Sequence, residues 1–255
     1  MVIHQLYKIS VFGDFSDIQP TTDNMLFLLN AYKDFEMVPS MYQELNFPIN
    51  SVMLQIGPVP QQSAPLLQRI ALMTSNTQER FILGSNRIDY EISIIDENVN
   101  NIEHFAVYNK KIYEAFNRLF EHYKKSSSRF ALNTNSWIID LSANELREFF
   151  SRYTNPISIY QDVIMDEWST RLMTKQKKTI DEMDEVLNII TGITKGLYYK
   201  TDDVSHGMPP VDGFVIDIDI NTIAENTANR FSSANLSTFL SEALYVWNEV
   251  WGEIQ

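Results

Sequence analysis

The chain has 255 residues, 44% of them hydrophobic and 12% aromatic, which is enough to fill one substantial core. Its 33 acidic and 20 basic residues give a net charge of -13, a field that repels phosphate backbones and disfavours direct nucleic-acid binding. There is no cysteine, so disulfides, thiolate metal sites and a cysteine nucleophile are excluded, in keeping with a reducing compartment.

Ile3 to Phe12 is rich in β-branched and aromatic residues and runs into Gly13-Asp14, the pattern of a strand closed by a turn. Thr21 to Phe35 reads as a short helix capped at Thr22 or Asp23. Prolines at 39, 48, 58, 60 and 65 then interrupt regular structure, leaving Val52 to Ile56 as an edge strand. Leu66 to Met73, Arg80 to Leu83 and Arg87 to Ile95 form a meander through turns at Ser75-Asn76-Thr77 and Gly84-Ser85-Asn86.

From Val99 to Lys125, Ile102, Phe105, Ile112, Phe116, Leu119, Phe120 and Tyr123 recur at helical spacing and predict the longest helix. It ends at Lys124-Lys125, which suit the negative end of the helix dipole, and at three serines. Arg129 to Leu141 reads as a strand, and Ser142 with Glu145 has the spacing of a capping box for a short helix closed by Asn155-Pro156. Ile159 to Thr174 and Val186 to Tyr199 predict two long strands joined by a charged, mobile tip over Lys175 to Glu185.

Beyond the loop Lys200 to Pro210, Phe214, Ile216, Ile218 and Ile220 alternate with Val215, Asp217 and Asp219, giving a strand with one oily and one acidic face. Leu236, Phe239, Leu240, Ala243, Leu244, Trp247, Trp251 and Ile254 then form one apolar stripe on a terminal helix. Strands followed by a helix occur twice. The expected fold is one α+β domain over residues 1–255, mainly antiparallel sheet with a long central helix and a C-terminal helix packed on it. A duplicated unit would divide it into halves 1–141 and 142–255.

Signals for chemistry are sparse. Asp217-Ile218-Asp219-Ile220-Asn221 matches the opening of a calcium-binding loop, but Thr222 replaces the required glycine and Ala228 the bidentate glutamate. Asp202, Asp203 and His206 could join Asp217 and Asp219 in an oxygen-rich site suited to magnesium or manganese, although aspartates also serve simply as turn formers. His4, His104, His122 and His206 form no His-Glu-x-x-His pair. No nucleophile elbow or phosphate-binding glycine loop is present among only 8 glycines. Arg171, Lys175, Lys177 and Lys178 make the one notable basic cluster, which reads first as a solvated hairpin tip and second as a grip for phosphates or an acidic protein. Trp247 and Trp251 fit core packing better than an interface anchor. Met1 to Phe12 lacks the uninterrupted apolar core of a signal peptide, and the closest approach to a long apolar run, Met25 to Leu29, is far short of the roughly 20 residues that cross a bilayer. A soluble cytoplasmic protein without membrane contact is expected.

The aromatic helix at Val99 to Lys125 followed by Arg129-Phe130, and the run Phe214-Val215-Ile216-Asp217-Ile218-Asp219 with its polar spacer and aromatic terminal helix, resemble a sporadically distributed bacterial family of uncharacterised proteins of similar length. That family often has a histidine near the middle of the last helix, where this chain has Glu242-Ala243-Leu244, so no role for it carries over. The resemblance implies the α+β fold, and the family's scattered distribution implies a mobile system such as phage defence. The expected function is that of a non-catalytic acidic component of a multi-protein system, binding a protein with a basic surface. No catalytic, cofactor-binding or metal residue is assigned, and no cofactor. Two alternatives are a metal-dependent hydrolase or nuclease using Asp217 and Asp219, and a nucleic-acid mimic that occupies a DNA-binding protein.

Overall fold

The computed structural model describes residues 1–45, 66–94, 102–154, 167–199, 209–223, 225 and 228–254. Within them, nine strands form a single antiparallel sheet: β1 (Val2–Phe12), β2 (Met37–Leu45), β3 (Leu66–Thr74), β4 (Glu79–Leu83), β5 (Arg87–Ser93), β6 (Arg129–Ile139), β7 (Ser169–Ile180), β8 (Met183–Tyr198) and β9 (Val211–Thr222). Their order across the sheet is β2-β3-β4-β5-β1-β6-β9-β8-β7. The described α-helices are α1 (Thr22–Ala31), α2 (Ile102–Tyr123), α3 (Ala143–Thr154) and α4 (Ser233–Ile254), with α2 and α4 of equal length at 22 residues, and a 3-10 turn at Lys33–Phe35 follows α1. The expected edge strand at Val52 to Ile56 and the Asn155-Pro156 stop lie outside the described residues.

Every described helix lies on the same face of the sheet. Phe105 and Phe116 of α2 meet Tyr7 and Phe81, Phe149 of α3 stacks on Phe214, and Phe239 of α4 packs on Phe130. α1 joins them through Tyr32, whose ring meets Phe81 and whose hydroxyl donates to the Ala115 carbonyl of α2. The arrangement is an α-layer on a β-layer, with the core between.

Period-two alternation determines which side chains enter that core. On β9, Phe214, Ile216, Ile218 and Ile220 are fully buried while Asp217 is exposed. On β6, Phe130, Leu132, Thr134, Ser136 and Ile138 point inward. β1 would lose this order midway, but a bulge between His4 and Leu6 shifts its register against β6. The extra residue resets the alternation, so His4 and then Tyr7, Ile9 and Val11 all face the helices. His4 is enclosed by Phe105, Trp247 and Trp251, and its Nδ1 hydrogen-bonds Ser136 Oγ at 2.8 Å.

The helix boundaries follow from local chemistry. Thr21 caps α1, its hydroxyl accepting from the Asn24 amide, one residue before the expected cap. The capping box of α3 is reciprocal: the Ser142 amide donates to Glu145 Oε2 at 2.7 Å and the Glu145 amide to Ser142 Oγ at 3.3 Å. Of the apolar stripe on α4, Leu236, Phe239, Leu240, Ala243, Trp247, Trp251 and Ile254 are buried together with Val246, and Leu244 lies partly buried at its border.

The largest departure from the sequence reading is at β7 and β8. Both strands run on to a two-residue turn at Asp181-Glu182, so Lys175 to Lys178 belong to a strand and not to a charged tip. Asp181 and Glu182 have φ of 45° and 69°, the double left-handed conformation of a type I′ hairpin turn. The Asp181 carboxylate accepts from Asn235 Nδ2 at 2.9 Å and from the Thr238 hydroxyl. The turn is therefore tied to the first turns of α4.

Candidate functional site

With the described helices gathered on one face, the opposite face of the sheet carries the side chains that point away from the core. The strand register arranges them in rows. Glu91, Lys8, Asn133, Asp219 and Ile190 lie side by side across β5, β1, β6, β9 and β8. The next row runs Asp89, Ser10, Ala131, Asn221 and Asn188, and on the other side Asn135, Asp217 and Gly192 follow one another.

The two ends of this face differ in chemistry. Over β1, β4 and β5 it is a chain of alternating charges. Lys8 lies 3.0 Å from Glu91 and 3.4 Å from Asp89, Arg80 pairs with Glu91 at 3.2 Å and Arg87 with Asp89 at 2.9 Å. The nearly buried Asp89 also accepts from the Ser10 hydroxyl. These charges satisfy one another.

Over β6, β9 and β8 the face carries amides and two carboxylates. Asn135 Nδ2 donates to Asp217 Oδ1 at 2.7 Å, Asn221 Nδ2 to Asp219 Oδ1 at 3.0 Å, and Asn188 Nδ2 to Asn221 Oδ1 at 3.3 Å. Asn221 is buried, and Asn188 Oδ1 is buried with no hydrogen-bond partner among the described residues. An acceptor held in that position costs stability unless a donor reaches it.

At the margin, Arg129 stacks its guanidinium 4.6 Å over the Phe12 ring, and Arg87 approaches the same ring at 5.9 Å. Burial is the main cause that lowers the pKa of Arg129, and the neighbouring Arg87 adds to it, while Asp219 and Glu225 oppose the shift.

The sequence-derived candidates separate here. Asp217 and Asp219 do lie together on the outward face of β9, but as strand residues paired to asparagines, not as loop ligands. Asp202, Asp203 and His206 lie outside the described residues. Among the described residues, no group of three or more His, Asp or Glu side chains is placed to hold a metal ion. His104 and His122 are exposed on α2, where the His122 ring stacks on Phe27, and His4 belongs to the core. Trp247 and Trp251 are buried. No described helix is long and apolar enough to cross a membrane.

The amide row escaped the sequence reading. Its signal was present, since Ala131, Asn133, Asn135 and Trp137 alternate with Leu132, Thr134 and Ser136. Which strands lie beside one another, and hence that Asn135 meets Asp217, is a property of the sheet order alone. No protein family, no curated protein and no solved structure matches the chain.

Proposed function

We propose that the protein is a non-catalytic binding module that presents the sheet face bearing none of the described helices, over β6, β9 and β8, to a protein partner bearing basic and amide groups. The observation that carries this reading is the row Asn135–Asp217 and Asp219–Asn221–Asn188, in which adjacent strands hold carboxylates and amides in fixed register, with the Asn188 acceptor lacking a donor among the described residues. Side chains held by a rigid sheet lose little entropy on contact, so polar groups that are individually weak can add up to a specific surface. The charge of -13 would steer a basic partner toward it. Membership of a multi-protein bacterial system, with antiviral defence as its setting and the cytoplasm as its location, is proposed from the family resemblance.

The test is capture of a partner by the tagged full chain from bacterial lysate, with and without nuclease. A stoichiometric protein partner that survives nuclease, and is lost on adding salt and in the Asp217→Asn/Asp219→Asn double variant, supports the reading. A partner retained unchanged by that variant removes this face from the interface.

We infer as well that the fold is two copies of one strand-helix-strands-helix unit, divided between α2 and β6 and not at the expected 141/142 boundary. Support comes from the order in which strands leave the β1–β6 seam: β1, β5, β4, β3 on one side and β6, β9, β8, β7 on the other. In each half the first strand lies at the seam and the last strand beside it. A helix follows the first strand and another follows the last, leaving β2 as an addition to the first half.

A further inference from the structure

We propose that the outer edge of β7, unpaired among the described residues, is a docking strand for an extended partner segment in which apolar and acidic residues alternate, a proposal that rests on the binding-module reading and adds this segment to the partner's basic surface.

β7 is the last strand of the sheet, 12 residues long and exposed over most of its length. Its outward face carries Arg171, Met173, Lys175 and Lys177, in a chain whose net charge is -13. Their neighbours on β8 are Gly192, Ile190, Asn188 and Val186, none of them acidic. Lys178, on the other face, is already engaged by Glu242 at 3.2 Å and by the Tyr245 ring. Among the described residues, Arg171, Lys175 and Lys177 have no carboxylate within ion-pair distance. A row of three cations without anions is thus displayed along one of the two edges of the described sheet, the other being β2.

The helix-side face of the same edge carries Thr170, Leu172, Thr174, Gln176 and Lys178, and is apolar around Leu172. Leu172 is 47% exposed in a groove of about 470 Å³ lined mainly by Ile189, Ile193, Val250, Ile254 and Tyr153, with Arg152 and Glu253 also in its wall. A strand added about 4.8 Å from β7 would place alternate side chains on opposite faces. One set would lie over Leu172 and the groove, the other beside the cations. Apolar residues suit the first position and acidic residues the second. β9 shows the same pattern inside the sheet, with Ile216, Ile218 and Ile220 inward and Asp217 and Asp219 outward.

A second copy of this chain pairing edge to edge is disfavoured, because the two basic rows would face each other. Lysines on an edge strand also discourage indiscriminate pairing. That role alone does not call for an exposed leucine beside an apolar groove.

The probe is a short fluorescent peptide of alternating glutamate and valine, with a lysine–valine peptide as its counterpart, titrated against the full chain by fluorescence anisotropy. The glutamate peptide is expected to bind saturably, to weaken with salt, and to slow hydrogen exchange of amides in Ser169–Ile180. The Lys175→Glu/Lys177→Glu variant, altered only at exposed positions, is expected to lose about tenfold or more in affinity, as removal of two close charge pairs implies. That variant should instead gain affinity for the lysine peptide. Equal binding of both peptides to both proteins, no binding, or protection elsewhere than β7 overturns the assignment. The variant's capture of a lysate partner separates the two readings. A partner it retains leaves the binding module standing and removes β7 from the interface, and a partner it loses while still lost in the Asp217→Asn/Asp219→Asn protein places both surfaces in one interface.

Discussion

Trp247 Nε1 donates a hydrogen bond to Thr134 Oγ1 at 2.8 Å, with both residues buried, and so fixes the middle of α4 to the middle of β6. The same indole stacks on Trp251 and meets Phe105 edge-on, so one side chain joins α4, α2 and the sheet. Trp247→Ala should destabilise the fold by about 3–5 kcal/mol, the range for emptying a large aromatic site. Trp247→Phe keeps most of the apolar contact but leaves the Thr134 hydroxyl without its donor, and should cost about 1–3 kcal/mol. Urea denaturation followed by far-ultraviolet circular dichroism measures both. A loss below 1 kcal/mol for the alanine variant would show that α4 is not held through this residue.

The Asp181-Glu182 turn holds two non-glycine residues in the left-handed region, at φ of 45° and 69°. Asp181 has a reason to be there, since its carboxylate is bonded to Asn235 and Thr238. Glu182 is exposed. Glu182→Gly creates the Asp-Gly pair that type I′ turns favour, and should stabilise the protein by about 0.5–1 kcal/mol after the greater chain entropy of glycine is set against the relieved strain. Glu182→Val should destabilise it by about 1 kcal/mol or more, because a β-branched residue resists positive φ. Shifts in the denaturation midpoint in opposite directions are the expected result.

Arg69 is 1% exposed, yet it is charged. Its guanidinium lies 3.1 Å from Glu44, donates to Ser85 Oγ, and reaches the carbonyls of Ser16 and Ile18 at 3.2 and 3.3 Å. It thereby holds the segment after β1 against β2 and β3. Arg69→Met removes the ion-pair partner of Glu44, to which Ser85 still donates, and leaves the Ile18 carbonyl without a donor, at an expected cost of about 3 kcal/mol. Arg69→Lys should recover only part of that, since an ammonium lacks the planar fork that spans these acceptors. Thermal unfolding of the two variants, with lysine intermediate between methionine and wild type, checks the argument.

How much of this was legible in the sequence depended on whether one segment contained the whole cause. The alternation in Phe214 to Ile220 identified β9 and both its faces, because period two needs no partner. The stripe on α4 and the Ser142–Glu145 capping box were equally local. Lys175 to Glu185 reads as a tip because its charges look like a loop, but an edge strand with one exposed face tolerates the same residues; only the pairing of Ile180 with Met183 reveals it. His4 gave no sign of burial. Its position depends on a bulge in the β1–β6 ladder, which brings an even-numbered residue to the face that Tyr7, Ile9 and Val11 also occupy. The row of amides beside Asp217 and Asp219 depended in the same way on sheet order.

That buried histidine makes the stability of the fold depend on pH. Burial among Phe105, Trp247 and Trp251 lowers the His4 pKa to about 4, against about 6.5 in the unfolded chain. Between those values the unfolded state binds the proton and the folded state does not, so stability falls as pH drops through that window and levels off below the folded pKa. The loss from this one group should be about 2 kcal/mol at about pH 5 and approach about 3 kcal/mol at lower pH. Carboxylates titrate in the lower part of the same range, so the contribution of His4 is read as a difference between two proteins. His4→Phe fits an aromatic enclosure and has no proton to bind, although it leaves the Ser136 hydroxyl without its partner. Its stability should therefore lie below wild type at about pH 7.5 and approach or cross it near about pH 5. Parallel pH profiles for the two proteins would show that His4 is charged or solvated in the folded state, and would contradict its place in the core.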